Sequence, residues 1–276
     1  KEVYIAGDDY QAIFEWAGAD VKKFLSLKGE KVILPQSFRI PKSVHSLAND
    51  VTSRIKNRYP KAWAPREEKG AVFYIGHDEN INFNEHEGTW LCMSRSKYLL
   101  SRIKKIVRQQ GQAYNMNGKS SLESSETKAI TSWERIRKDI KISMHEAKNL
   151  IKFFNFNVKL KPKDAYGIGD LGMPDDFKNK DWMEVLRNLP PDEREYLRSC
   201  LRNGQQFSDK PKITISTIHQ SKGGEADNVV LLTDMGKLSW DNLGTDEENR
   251  VWYVALTRVK QNLFLVSPRG LRYFSI

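Results

Sequence analysis

Short apolar runs alternating with amphipathic helices limit this chain more than any other feature. Residues Ala71–Ile75 (AVFYI), 89–94 (TWLCMS), 112–116, Ile213–Thr217 (ITIST), 228–233 (NVVLLT) and 263–266 (LFLV) have strand character. Between them, KYLLSRIKKIVRQQ at 97–110 is an amphipathic helix stopped by Gly111. Strand, helix, strand is the grammar of a parallel sheet covered by helices, so the chain reads as α/β. Two further strands are expected at 1–6 (KEVYIA) and 31–34 (KVIL), and helices over 21–27 and 41–59. Pro41 opens the second helix, with Val44, Leu47, Ala48, Val51 and Ile55 at helical spacing.

The grammar changes between 120 and 208. A charged helical pattern fills 120–155, with Ile130, Trp133, Ile136, Ile140, Met144, Ala147 and Ile151 as its apolar stripe. A polar stretch with Gly and Pro follows at 159–176, then a helical pair over 182–188 and 192–201. This segment reads as a small helical insertion placed inside the α/β domain.

Charge and cysteine usage narrow the function classes. The 45 Lys and Arg exceed the 35 Asp and Glu, giving a net charge of +10 that suits a polyanionic partner. No run approaches the roughly 20 apolar residues of a membrane span. Cys92 and Cys200 are the two cysteines, too few for a disulfide scaffold or a multi-cysteine zinc module. No ligand cluster accompanies His219 in sequence, so no metal site is expected. The chain starts at Lys1 with no signal-type segment, which points to a cytoplasmic protein and a piece of a longer one.

Several residues have a chemistry suited to phosphates and bases. Gln11 follows Gly7-Asp8-Asp9, where its amide would reach a water or a phosphate, or cap a loop. Phe14 and Trp16 are two apart on a polar turn, placed to stack unpaired bases or to anchor the core. Arg39 lies in Phe-Arg-Ile-Pro, where a guanidinium would engage a phosphoryl group or form a surface ion pair. Thr217 and His219 surround the end of a strand, ahead of Gly223-Gly224-Glu225, whose glycines permit close backbone approach to a phosphate. Arg258 ends the helical run YVALTR, positioned for a phosphate or for its own helix's carboxyl end.

Taken in order, GDDYQAIFEWAGA (7–19), LPQSFRIP (34–41), ITISTIHQSKGGEADNVVLL (213–232) and EENRVWYVALTRVKQNLFLV (247–266) resemble motifs III, IV, V and VI of the UvrD/Rep/PcrA-like family of superfamily 1 DNA helicases. The resemblance implies a RecA-like parallel sheet with a small helical insertion, preceded by the end of a first RecA-like domain. It divides the chain into 1–68, closing the first domain, 69–119 with 209–276 as the second, and 120–208 as a reduced 2B-like insertion. It implies that Gln11, Arg39 and Arg258 are catalytic and that Arg39 and Arg258 meet the γ-phosphate. Phe38 would stack near the adenine and Glu225 contact the ribose, while Trp16, Phe14, Thr217 and His219 bind DNA. Ala17 stands where the family usually has arginine, and Ala226 where it has a bulky residue.

The function so implied is ATP-dependent translocation on single-stranded DNA and unwinding of duplex, usually 3′ to 5′, in DNA repair or replication. ATP and Mg²⁺ are the expected cofactors and a monomer the expected state. No G-x-x-x-x-G-K-[ST] loop occurs in the sequence, so Mg²⁺ and the phosphates are expected to be held mainly by an amino-terminal RecA-like region. This polypeptide alone is therefore expected not to hydrolyse ATP. The alternative is a non-catalytic helicase-like module that binds single-stranded DNA or another protein.

Overall fold

The computed structural model describes residues 2–276. In chain order the elements are α1 (Val21–Leu25), α2 (Lys42–Ser53), β1 (Ala71–Ile75), β2 (Trp90–Ser94), α3 (Leu100–Gln109), β3 (Tyr114–Met116), β4 (Lys119–Ser120), α4 (Ser125–Ile136) and α5 (Met144–Leu150). They continue with α6 (Trp182–Val185), α7 (Pro191–Arg202), β5 (Ile213–Thr217), β6 (Ala226–Leu232), α8 (Lys237–Asp241), α9 (Asp246–Leu256) and β7 (Val259–Val266). The chain forms two compact units, one running to Ile106 and resuming over Lys212–Ile276, the other spanning Val107–Pro211. No helix among the described residues is long and apolar enough to cross a membrane.

The first unit is built on five parallel strands in the order β1-β7-β6-β2-β5. Parallel strands are buried on both faces and therefore read as continuous apolar runs, which is why WLCMS forms a wholly buried β2. α9 is buried along all of 248–256, and its Trp252 stacks on Phe274 with ring centres 4.6 Å apart. α2 packs against α9, and its Val44, Ala48 and Val51 join the same core as Val251, Val254 and Ala255. Each of these buried valines contributes on the order of 1.5–3 kcal/mol by leaving water, and each alanine less.

In the second unit, β3 and β4 pair antiparallel around Asn117 (φ 53°) and Gly118 (φ 74°). Positive φ at both turn residues matches the right-handed strand twist, and Asn-Gly tolerates it. The helices pack around Trp133, whose indole N–H donates to the Lys180 carbonyl at 3.2 Å. Ile130, Ile136, Ala147, Leu150, Trp182 and Leu197 are buried in this unit.

Four expectations are corrected. KEVYIA forms no strand over its described residues 2–6, Lys1 lying outside them; Val3 and Tyr4 are 80% and 89% exposed. KVIL likewise forms no strand, and Val32 and Leu34 are exposed. Apolar, β-prone residues need a neighbouring strand to pair with, and neither segment has one here. The helix expected to reach residue 59 ends at Ser53, because Asp246 accepts the backbone N–H groups of Lys56 (2.7 Å) and Asn57 (2.8 Å). The helical pattern over 120–155 is two helices. Asp139 turns the chain at φ 60°, Ile140 is left half exposed, and Ser143 and Glu146 start α5 with reciprocal capping.

Candidate functional site

The loop bearing Gln11 is held by charge. Lys61 sits between Asp8 (2.5 Å) and Asp9 (2.6 Å), with its ammonium over the Tyr10 ring. From α9, the buried Arg250 donates to the Asp9 carbonyl (2.9 Å), the Glu15 carboxylate (2.9 Å) and the Asn57 carbonyl (2.6 Å). The Gln11 amide then has one orientation. Its Nε2 donates to Asp8 at 2.6 Å, and its Oε1 accepts from Arg258 at 3.1 Å.

Arg258 follows the end of α9 and is 1% exposed. Its Nε donates to the Val254 carbonyl at 2.9 Å, the preceding turn of its own helix, and Nη1 donates to the Gly224 carbonyl at 3.2 Å. Every one of these acceptors is neutral. Burial, and then the repulsion of Arg39, push the guanidinium down to about 10. Arg39 comes from the opposite side on a turn fastened by Ser37 Oγ, which accepts the N–H groups of Arg39 (3.3 Å) and Ile40 (3.2 Å). Arg39 Nε donates to Glu225 at 2.6 Å, and Nη1 reaches the Thr257 carbonyl at 3.4 Å. Glu225 also takes Lys260 at 2.7 Å; Lys260 first, then Arg39, hold its carboxyl below the usual range.

Gln11, Arg39, Glu225 and Arg258 are thus joined by short hydrogen-bond links into one cluster within the first unit, the arginine crevice. The two arginines differ in how readily they can change partner. The Arg39–Glu225 pair is about a third exposed on each side, and a pair so exposed contributes roughly 1 kcal/mol or less. An incoming anion can take that arginine at little cost. Arg258 is locked by carbonyls out of water, so its charge is felt without the side chain having to move. Phe38, 88% exposed, stands beside Arg39 with its ring uncovered.

A second cluster is aromatic. Phe14 lies 6.1 Å from Trp16 and 6.0 Å from His219, centre to centre, and Trp16 is 74% exposed. Burial first, then Arg95, hold the His219 imidazole down to about 4, so it is neutral near pH 7. Thr217 is placed differently from these three: it is buried, and its hydroxyl is tied to the Gln220 side chain at 3.1 Å. Lys222 joins the two clusters, donating to the Gln11 carbonyl at 2.8 Å with its ammonium 4.9 Å from the Phe14 ring centre. Sequence reading gave Lys222, Lys61 and Arg250 no role. Lys222 had a signal, being inside the His-Gln-Ser-Lys-Gly-Gly turn; Lys61 had none.

As for what this crevice can hold, its donors suit a polyphosphate, with an unpaired cationic excess and an exposed ring beside it. Mg²⁺ fits it poorly. Asp8 and Asp9 are committed to Lys61, and among the described residues no three His, Cys, Asp or Glu gather as a metal cluster.

Comparison with known proteins reaches part of this site, the stretch holding Thr217, His219, Glu225 and Arg258. Residues 174–269 match the family described as the UvrD-like helicase C-terminal domain. The chain is also similar to the ATP-dependent DNA helicase PcrA of Bacillus subtilis, 31% identical over 87 residues. That match takes in 29% of this chain and 12% of the relative's length.

Proposed function

We propose that this chain is the C-terminal portion of a UvrD/PcrA-like helicase and works as the arginine-donating half of an ATP-driven DNA motor, a reading its partial matches support. One observation carries the reading: Arg39 and Arg258, 219 residues apart in number, share a crevice with Gln11 and Glu225. In this reading ATP binds with its phosphates toward the two guanidinium groups. Arg39 leaves Glu225 for the γ-phosphate, and Arg258 offsets the charge that develops on it. Phe38 covers the adenine and Glu225, once released, takes the ribose.

Gln11 gives the crevice a route to DNA. Its side chain accepts from Arg258 while its carbonyl accepts from Lys222, which lies against Phe14. A change at the phosphate is thereby felt at the aromatic cluster, where Trp16 and Phe14 stack bases of a single strand. His219, neutral, contributes a hydrogen bond to the DNA backbone, and Thr217 orders the turn that presents it. Alternate gripping and release would move the motor along one strand and open duplex.

The phosphate cradle and the Mg²⁺ carboxylates are assigned to an amino-terminal RecA-like region outside this sequence. The uncovered apolar segments Val3–Ile5 and Val32–Leu34 support that assignment, since strands supplied by such a region would bury them. The test is a DNA-stimulated ATPase assay on the full-length protein and on this 276-residue chain. Activity is expected from the first and none from the second; hydrolysis by this chain alone overturns the reading.

A further inference from the structure

Independently of the arginine crevice, we propose that a recess beside α8 docks a protein partner through a short peptide carrying a large apolar side chain next to an acidic residue. The recess holds about 350 Å³, enough for one or two side chains. Trp240, Leu243, Tyr273 and Phe274 form its walls, and Arg54 and Asn249 are among its polar lining groups. All six belong to the first unit.

The walls are rigid where they are deepest. Phe274 is buried and stacked on Trp252, while Leu243 and Tyr273 remain 42% exposed at the mouth. Arg54, following α2, is pinned there: Nη1 donates to the Ser275 carbonyl at 2.6 Å, and the guanidinium lies over the Phe274 ring at 5.4 Å. Asn249 is 2% exposed, yet its Nδ2 has no hydrogen-bond partner. A buried amide donor left unpaired is costly, and a ligand carbonyl would satisfy it.

These features select the ligand. The unpaired Asn249 Nδ2 and the Arg54 guanidinium are donors, so the occupant brings acceptors: a carbonyl for Asn249 and a carboxylate for Arg54. Four apolar walls require a large apolar body between them. A peptide supplies all three at once, with its backbone carbonyl, an Asp or Glu, and a neighbouring Phe or Leu as anchor. A nucleic-acid strand fits less well, because the lining offers a string of phosphates one cation, Arg54, among largely apolar walls.

The experiment titrates N-acetyl-Asp-Phe-amide into the ¹⁵N-labelled chain and follows the Asn249 side-chain amide and the Trp240 indole N–H. Saturable shifts of both are expected. N-acetyl-Asn-Phe-amide should bind roughly three- to fivefold more weakly, as an exposed charge contact implies, and Arg54→Gln should erase that difference. Leu243→Lys, on the exposed wall, should abolish binding with the thermal midpoint unchanged, so the outcome does not depend on the buried Asn249→Ala variant folding. Absence of saturable shifts, or an equal response in Leu243→Lys, overturns the proposal. So does saturation of the same resonances by a thymidine oligonucleotide and not by the peptide, which would make the recess a nucleic-acid contact.

Discussion

Two arginine clusters in the first unit solve the burial of charge in opposite ways. Beyond the carboxyl ends of β1, β6 and β7, Asp78 is wholly buried between Arg102 (2.9 Å) and Arg269 (2.9 Å), and Arg102 continues to Asp234 at 2.7 Å. Burial alone would raise the Asp78 carboxyl, but the hydrogen bonds from Arg102 and Arg269 prevail and lower it. Glu79 pairs with Arg269 as well, so three carboxylates meet two guanidinium groups. In the cluster proposed to bind nucleotide, Glu225 pairs with both Arg39 and Lys260, while Arg258 bonds neutral acceptors and is pushed down to about 10. In the first cluster carboxylates outnumber guanidinium groups, although Arg102 Nη2 is buried without a partner. The second carries a cationic excess that the protein itself does not neutralise, the expected condition of a site awaiting an anion.

The sharpest way to break that contrast is to remove one arginine from the crevice. Arg258→Ala in the full-length protein should lower the DNA-stimulated ATPase rate constant by about a thousandfold, the low end for an arginine that stabilises transferring phosphate. Steady-state turnover at saturating ATP measures it, with the thermal midpoint recorded alongside because Arg258 also ties Val254, Gly224 and Gln11 together. Near-normal turnover would make Arg258 a helix-end residue and nothing more. In the first cluster the loss should appear in stability. Asp78→Ala takes one of the two carboxylates on Arg102 and leaves it Asp234 alone, and with Arg269 nearly half exposed the cost is about 3 kcal/mol, the low end for breaking a buried pair. Urea denaturation of the chain reads it; a change under about 1 kcal/mol would mean that water already shares the cluster.

Much of the sheet was legible in the sequence and little of these clusters was. AVFYI and ITIST became β1 and β5 with the expected bounds, because an apolar run between polar turns leaves a buried parallel strand few alternatives. KEVYIA and KVIL carry the same local signal and form no strand, since strand formation depends on a partner the run itself does not encode. The stop of α2 at Ser53 was invisible for a similar reason, Asp246 being about 190 residues away. For the crevice, motif spacing singled out Gln11, Arg39, Glu225 and Arg258, but not that Glu225 is shared with Lys260 or that Lys61 holds the Gln11 loop. Those pairings come from contacts across the fold, as with Arg39 and Glu225, 186 residues apart.

The aromatic cluster sharpens the contrast in a third way, because its contribution should lie in binding alone. Trp16 is 74% exposed, so Trp16→Ala should leave the urea midpoint within error. Affinity for a single-stranded oligonucleotide should fall by about 1–3 kcal/mol, the worth of one stacked base. Fluorescence anisotropy at fixed salt measures it. Unchanged affinity would remove Trp16 from the DNA contact and leave Phe14, half-buried against His219, without its outer neighbour.

The smallest expected effect belongs to His219. Its imidazole is held at about 4 in the folded chain, against an ordinary value of 6.5, by burial first and Arg95 second; a hydrogen bond with the Ile13 backbone works the other way. The folded state therefore binds this proton less readily than the unfolded state. The stabilising contribution is present in full above pH 6.5, declines as the pH falls toward 4, and levels off below that. His219→Phe removes the titrating group while keeping a ring near Phe14, so its urea midpoint should fall less steeply than wild type between pH 6.5 and 4. Carboxylates elsewhere titrate in the same window, but they are common to both proteins and cancel in the difference. Identical slopes would mean that the fold does not disfavour protonation of this imidazole, which would then take its proton as the pH falls through 6.5 and not only near 4.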